Sequence, residues 1–268
     1  MTEKLLSDRL TMMIHTCNKF SDLWDAHINL LNKNWANRSI DTFLVTDEAT
    51  DRTFFDVSVI SAGQGAELSE RTRVALDFIR TEYILITLDD YFPIYPVYSD
   101  KIVALLNIME KENLDYIRLF SDPNSYKKLP DYRNLYKIDL EQNYDVNLYQ
   151  GIWRKSFLEK TIRQPLNAWQ YEVSLTKIAR DYGARCILSK GDEFRILDVV
   201  RKGKLLHKAN WYLKRHRLYD GPREVISYRE EFKILLFAAG KKILPKSIAK
   251  WVKKILIKHG HNFYSDSV

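Results

Sequence analysis

With 268 residues and 46% hydrophobic content, the chain can build one large domain, or a domain with an appendage, around a proper core. Its two cysteines, Cys17 and Cys186, lack zinc or redox spacing and are too few for a disulfide framework, which favours a reducing compartment. The net charge of +7 is unevenly spread: residues 201–260 hold 17 Lys and Arg against 4 Asp and Glu, so the rest of the chain is net acidic.

Residues 10–16 read as a first strand, and the polar turn Cys17-Asn18-Lys19 leads into a helix over 21–34. On that helix Leu23, Trp24, His27, Ile28, Leu30 and Leu31 recur at helical spacing. A second strand, 41–46, ends at Asp47-Glu48, and a third, 54–60, runs into Ser61-Ala62-Gly63-Gln64-Gly65. This alternation predicts the start of a doubly wound parallel sheet. Leu68, Thr72, Ala75, Leu76 and Ile79 form one face of the next helix, with Ser69 and Glu70 at its entrance.

The following strand, 83–88, is a nearly continuous apolar run (Ile84, Leu85, Ile86, Leu88), the pattern of a strand buried on both faces, and it stops at Asp89-Asp90. Ligands of open α/β sheets lie outside the carboxyl ends of the strands, so the two carboxylates fall where a substrate would sit. Adjacent carboxylates repel, and a hard divalent cation relieves them; a solvated turn is the competing explanation. A helix over 100–112 and a strand over 116–120 follow. Segment 121–143 is polar and Tyr-rich, a composition that seldom packs as core and suits an acceptor cleft. Then come a strand at 148–153, helices at 154–162 and 173–182, and an edge strand at 186–188.

The order of these parts resembles the nucleotide-sugar half of a GT-A glycosyltransferase close to family 2: first strand and polar turn, Ser61-Ala62-Gly63 loop, helix with Arg71 and Arg73, and a strand ending in Leu88-Asp89-Asp90. Tyr149-Gln150-Gly151-Ile152-Trp153 and Trp169-Gln170-Tyr171-Glu172 resemble a bacterial surface-polysaccharide branch (capsule or O-antigen), in which Trp-x-x-Glu follows the acceptor region. The resemblance covers about residues 8–200.

It implies an α/β fold of the GT-A (Rossmann-like) type, a mostly parallel sheet flanked by helices, and transfer of a sugar from a nucleotide-sugar donor to a hydroxyl of a glycan or lipid-linked glycan acceptor. It also implies Mn²⁺ or Mg²⁺ at Asp90 and Asp89, neutralising the leaving diphosphate, with His207 as a further ligand in a basic loop. The pair Asp89-Asp90 departs from the spaced Asp-x-Asp form, which leaves open which carboxylate meets the metal. Glu172 takes the place of the general base, its pKa raised by Trp169 and Tyr171, so that the sugar inverts; a carboxylate favoured by a helix N-terminus is the alternative. His15, Thr16 and Asp47 fall where the nucleoside meets the first two strands, and Arg71 and Arg73 where they pair with Asp89 or reach phosphate. Trp153, Trp169 and Tyr171 are the acceptor-cleft candidates.

The first nine residues are polar and charged, which predicts no secretory signal, and no window nears the roughly 18 apolar residues of a membrane span. We expect a catalytic domain over 1–200 and a basic helical extension over 201–268. Within 232–258, Ile248, Trp251, Val252, Ile255 and Leu256 follow the spacing of one helix face, flanked by Lys246, Lys250, Lys253, Lys254 and Lys258. Such a helix suits an anionic membrane surface, at about 1 kcal/mol per lysine, and places the enzyme in the cytoplasm at the inner face of the plasma membrane; a core helix is the rival. Three other functions compete. Nucleic-acid binding fits the basic pI but not the confinement of charge to one tail. A nucleotidyltransferase would want a Gly-rich basic phosphate loop after the first strand, and residues 15–20 have no Gly. A non-catalytic scaffold would bind partners without turning over donor.

Overall fold

The computed structural model describes residues 5–120, 126–162 and 165–243, which fall into two compact units, one of 5–120 with 126–162 and 165–198, the other of 199–243. The larger unit is a nine-stranded sheet with helices on both faces. Its strands are β1 (Leu10–His15), β2 (Thr42–Thr46), β3 (Ser58–Ser61), β4 (Tyr83–Leu88), β6 (Tyr116–Arg118), β7 (Lys127–Lys128), β8 (Leu135–Lys137), β9 (Gly151–Arg154) and β10 (Cys186–Ser189). They are ordered β3-β2-β1-β4-β9-β6-β10-β8-β7. A small ribbon, β5 (Tyr91–Phe92) with β11 (Leu197–Asp198), lies beyond β4.

The half from β3 to β4 is all parallel, with Met12 opposite both Thr42 and Leu85. Side chains of a strand point alternately to its two faces, and the core follows that period. Met12, Ile14, Leu44 and Leu85 pack on one face with Trp24, Ile28 and Leu31 of α2 (Trp24–Asn34) and with Ile102, Leu105 and Leu106 of α4 (Ser99–Lys111). Met13, Val45, Ile84 and Ile86 pack on the other with α3 (Leu68–Leu76), α5 (Lys155–Thr161) and α6 (Ala168–Tyr182). The α/β sandwich read from the sequence is therefore present. A short α1 (Leu6–Arg9) leads into β1.

The second half of the sheet corrects several expectations. The 148–153 strand is β9, begins at Gly151 and runs antiparallel between β4 and β6. Gly151 is required there: a Cβ would lie 2.7 Å from Tyr116 Cε2 and 2.8 Å from the Ile117 carbonyl oxygen. The 186–188 strand is not an edge, since β10 pairs with β6 on one side and β8 on the other. The Tyr-rich stretch after 120 does enter the core, with Leu135, Ile138 and Leu140 buried, because β8 delivers them beside β10. The 54–60 strand shrinks to β3, since Phe54 and Val57 close a tight turn with Asp56 at φ 53°. The helix expected from 21 opens as a 3₁₀ stretch, Asn18–Leu23, and becomes α-helical at Trp24.

In the smaller unit, β12 (Val200–Arg201) and β13 (Lys204–Leu205) form a hairpin whose central Lys202 and Gly203 both have positive φ, as a type I′ turn requires. Two helices follow, α7 (His207–Arg215) and α8 (Tyr228–Ile243). Phe232, Leu235 and Leu236 of α8 are exposed. The apolar stripe at 248–256 and its lysines lie outside the described residues. Among those described, no helix is long and apolar enough to cross a membrane.

Candidate functional site

The parallel strands β1, β2 and β4 end at one sheet edge, where Thr16, Asp47 and Asp89 follow them. Asp89 is 7% exposed and held from three directions. Its N–H donates to the His15 carbonyl at 3.0 Å, extending the β1–β4 ladder by one bond. Its carboxylate accepts from the Thr16 hydroxyl, which in turn accepts from Trp24 Nε1 at 2.6 Å. Its carbonyl oxygen lies 3.0 Å from His27 Nδ1. A carbonyl only accepts, so His27 carries its proton on Nδ1. Burial holds the His27 pKa down at about 4, which keeps the ring neutral.

His15 is turned away from this edge into the core. It is 2% exposed, its Nε2 faces the Thr72 hydroxyl of α3 at 3.3 Å, and burial, with Arg71 nearby, lowers its pKa to about 3. Its role is to tie β1 to α3 as a neutral ring. Arg71 and Arg73, two residues apart on α3, point to different sides as helical geometry demands. Arg73 is exposed, whereas Arg71 is half-buried, donates from Nη1 to the Ala66 carbonyl at 3.0 Å and has no partner for Nε among the described residues. Asp47 receives three donors on Oδ1: the Asn18 N–H at 2.7 Å, the Thr46 hydroxyl at 3.1 Å and the Glu48 N–H at 3.0 Å. Cys17 lies where these groups converge. Burial, then the negative charges of Asp89 and Asp47, push its thiol up against a weaker pull from Arg71, which keeps it protonated and a poor nucleophile.

Other sequence candidates fall elsewhere. Trp153 is 1% exposed and packed in the core between the rings of Tyr116 at 4.4 Å and Phe157 at 5.7 Å. Tyr171 is equally buried, its hydroxyl 2.5 Å from that of Thr161. Trp169 is 59% exposed on the first turn of α6, which starts five residues earlier than the periodicity indicated because Asn167 and Gln170 form a reciprocal cap. Glu172 is half-buried on the next turn and accepts the Leu148 N–H at 3.1 Å. It thus braces the loop that enters β9. His207 is not in a loop: it opens α7 in the smaller unit, bonded through Nδ1 to Glu231 and stacked on Tyr228 at 3.8 Å. Among the described residues no group of three or more His, Cys, Asp or Glu is gathered as a metal site.

No protein-family model and no curated protein sequence matches the chain. Solved structures do. Staphylococcus aureus TarS aligns over 70% of this chain and 36% of its own, at 15% identity and a TM-score of 0.50. Residues 1–349 of TarS in complex with UDP-GlcNAc align over 74% of this chain and 60% of that one, at 16% identity and a TM-score of 0.51. The fold is that of GT-A glycosyltransferases. The chain spans between about a third and three fifths of the length of these neighbours.

Sequence reading missed Trp24, His27 and Thr72 as neighbours of the site. Trp24 and His27 were legible only as apolar positions of α2, and nothing in the sequence pairs them with Thr16 and Asp89.

Proposed function

We propose that the chain is a glycosyltransferase that moves a sugar from a nucleotide-sugar donor to a hydroxyl of a glycan acceptor. The observation that carries this reading is the braced Asp89-Asp90 pair at the carboxyl edge of β4, level with Thr16 and Asp47, on a fold shared with a protein whose structure holds UDP-GlcNAc. Asp47 has its three donors on Oδ1, which leaves Oδ2 to accept an N–H or O–H of the nucleoside. Arg71, with Nε unengaged, is suited to the diphosphate.

Asp89 is committed to bracing, so Asp90 is the group we assign to a divalent cation. Mg²⁺ takes one or two carboxylates and completes its shell with substrate phosphates and water, so the pair fits an ion that arrives with the donor better than a dedicated cage. When bound, such an ion neutralises charge developing on the leaving diphosphate. His207, engaged by Glu231, is left out of this assignment. Glu172 is the proposed base: it would take the acceptor proton as the hydroxyl attacks the anomeric carbon from the side opposite the leaving group, with inversion. We further propose that the acceptor is lipid-linked and that the basic smaller unit meets an anionic leaflet. Support comes from Phe232, Leu235 and Leu236 exposed on α8, and Trp211, 61% exposed, beside Arg215 on α7.

The test is donor binding by calorimetry with UDP-, GDP-, dTDP- and CMP-sugars, with and without Mn²⁺. One nucleotide class should bind, roughly tenfold or more weaker with Asp90→Asn. Once an acceptor is found, Glu172→Gln should keep donor affinity and lose about 10²–10⁴ in kcat. A folded protein that binds no donor refutes the proposal, and release of pyrophosphate would identify a nucleotidyltransferase instead.

A further inference from the structure

A hollow of about 420 Å³ opens on the same sheet edge, past β6 and β10, the second and third strands beyond β4, and it has no role in the proposed transfer. The β6 and β9 strands run antiparallel, as do β9 and β4, so β6 and β10 point the same way as β4. The hollow lies past their carboxyl ends: Leu119, just after β6, donates to the Gln150 carbonyl at 2.9 Å, and Lys190 immediately follows β10. A ladder of rings connects it to the aspartates. Tyr91, next to Asp90, lies 5.8 Å from Tyr149, which stacks at 4.5 Å on Phe120, and Phe120 lines the hollow.

Three features describe what would fill it. Gln150 is 1% exposed and donates from Nε2 to the Phe194 carbonyl at 2.5 Å, while its Oε1 is buried with no partner among the described residues. A buried amide oxygen left in that state is costly unless something donates to it. Lys190 sits 4.3 Å from the centre of the Tyr136 ring, and the Arg195 guanidinium 3.9 Å from that of Tyr95. An aromatic face positions a cation without neutralising it. Asp192, which lines the hollow, is paired with Lys101 at 2.7 Å and also feels the charge of Arg195, and Glu193 accepts from the Ser189 hydroxyl at 2.9 Å; neither Lys190 nor Arg195 makes a direct ion pair among the described residues. The volume falls in the range of small-molecule sites.

We propose that this hollow is an acceptor subsite for an acidic sugar, with its carboxylate or phosphate between Lys190 and Arg195 and a sugar hydroxyl donating to Gln150 Oε1. The assignment as acceptor rests on the glycosyltransferase reading; the binding of an acidic sugar does not. It makes the negative charge of the acceptor a requirement for recognition and gives Phe120 the role of a flat wall for the ring.

The test uses the full chain and four probes, glucuronate, glucose 6-phosphate, glucose and inorganic phosphate, followed by NMR titration or calorimetry, with UDP-GlcNAc titrated in parallel. At least one acidic sugar should bind roughly tenfold or more tighter than glucose, and the Lys190→Ala, Arg195→Ala double variant should lose that advantage. Both residues are exposed, so the variant should fold and leave any UDP-GlcNAc affinity unchanged. Gln150→Glu, which opposes an anion, should weaken the acidic probes and spare glucose. UDP-GlcNAc binding with acidic sugars bound no tighter than glucose overturns the subsite and leaves the donor reading standing. Acidic-sugar binding lost in the double variant, with no nucleotide-sugar bound, upholds the subsite and refutes the donor reading. Inorganic phosphate bound as tightly as glucose 6-phosphate overturns a sugar site, and a preference between glucuronate and glucose 6-phosphate identifies the anion.

Discussion

Thr16→Val keeps the shape of its side chain and removes one hydroxyl, the one that joins Trp24 to Asp89. In the native protein that oxygen accepts from Trp24 Nε1 at 2.6 Å while its proton goes to the Asp89 carboxylate. Trp24 is 1% exposed and Asp89 7%, so water replaces neither bond. A lost hydrogen bond to a charged group costs about 1.5–3 kcal/mol, and a stranded buried donor about 1–3 kcal/mol. The two share one hydroxyl and are not additive, so we expect a combined loss of about 3–5 kcal/mol, against a total stability on the order of 5–15 kcal/mol. Urea unfolding followed by far-UV circular dichroism measures it. Thr16→Ser is the control: it keeps the hydroxyl and gives up a methyl, worth about 0.8 kcal/mol. If Thr16→Val falls within about 1 kcal/mol of Thr16→Ser, the hydroxyl does not brace the aspartate and the case for Asp89 as a positioning residue fails. The same variant should weaken donor binding more than Thr16→Ser does, since a loosened Asp89 misplaces Asp90.

Acid should unfold the protein through His15 and His27. Their folded pKa values, about 3 and about 4, lie below the ordinary 6.5, so the unfolded chain takes up protons first. Their stabilising contribution is whole above about pH 6.5 and is lost as pH falls towards the folded values, about 2 kcal/mol per ring between pH 7 and pH 5. His27→Asn, which keeps a donor near Nδ1, should remove about half of that pH dependence in urea titrations; an unchanged dependence would show that His27 is charged in the folded protein. Gly151→Ala should cost about 1–3 kcal/mol and lower Tm by several degrees, because the added Cβ meets the backbone of β6 as well as the Tyr116 ring. A Tm equal to that of the wild type would mean that β9 and β6 separate more easily than their register implies.

How legible the site was depended on whether a residue's neighbours were local. Asp47 and Asp89 could be placed at one sheet edge because a strand that runs out of apolar residues announces its own end, and the ends of parallel strands share an edge. Trp153 and Tyr171 misled because an aromatic beside polar residues in sequence looks the same whether it faces a cleft or the core, and here β9 and α6 turn both inward. Lys190 and Arg195 gave no signal as two cations in a polar stretch, and Gln150 was legible only as part of the Tyr149-Gln150-Gly151-Ile152-Trp153 segment.

By itself the sequence determined the α/β class, the parallel character of the first half of the sheet and the placement of two carboxylates after β4. Those follow from the period of apolar residues and from where it stops, which are properties of one segment at a time. Only the tertiary structure decided the antiparallel insertion of β9, the commitment of Asp89 to Thr16 and His27, the turning of His15 into the core and the position of His207 in α7. The first three depend on which groups distant in sequence come within hydrogen-bonding distance, β9 of β4 and β6, Asp89 of Thr16 and His27, and His15 of Thr72, and packing of the whole sheet selects that where local propensity cannot.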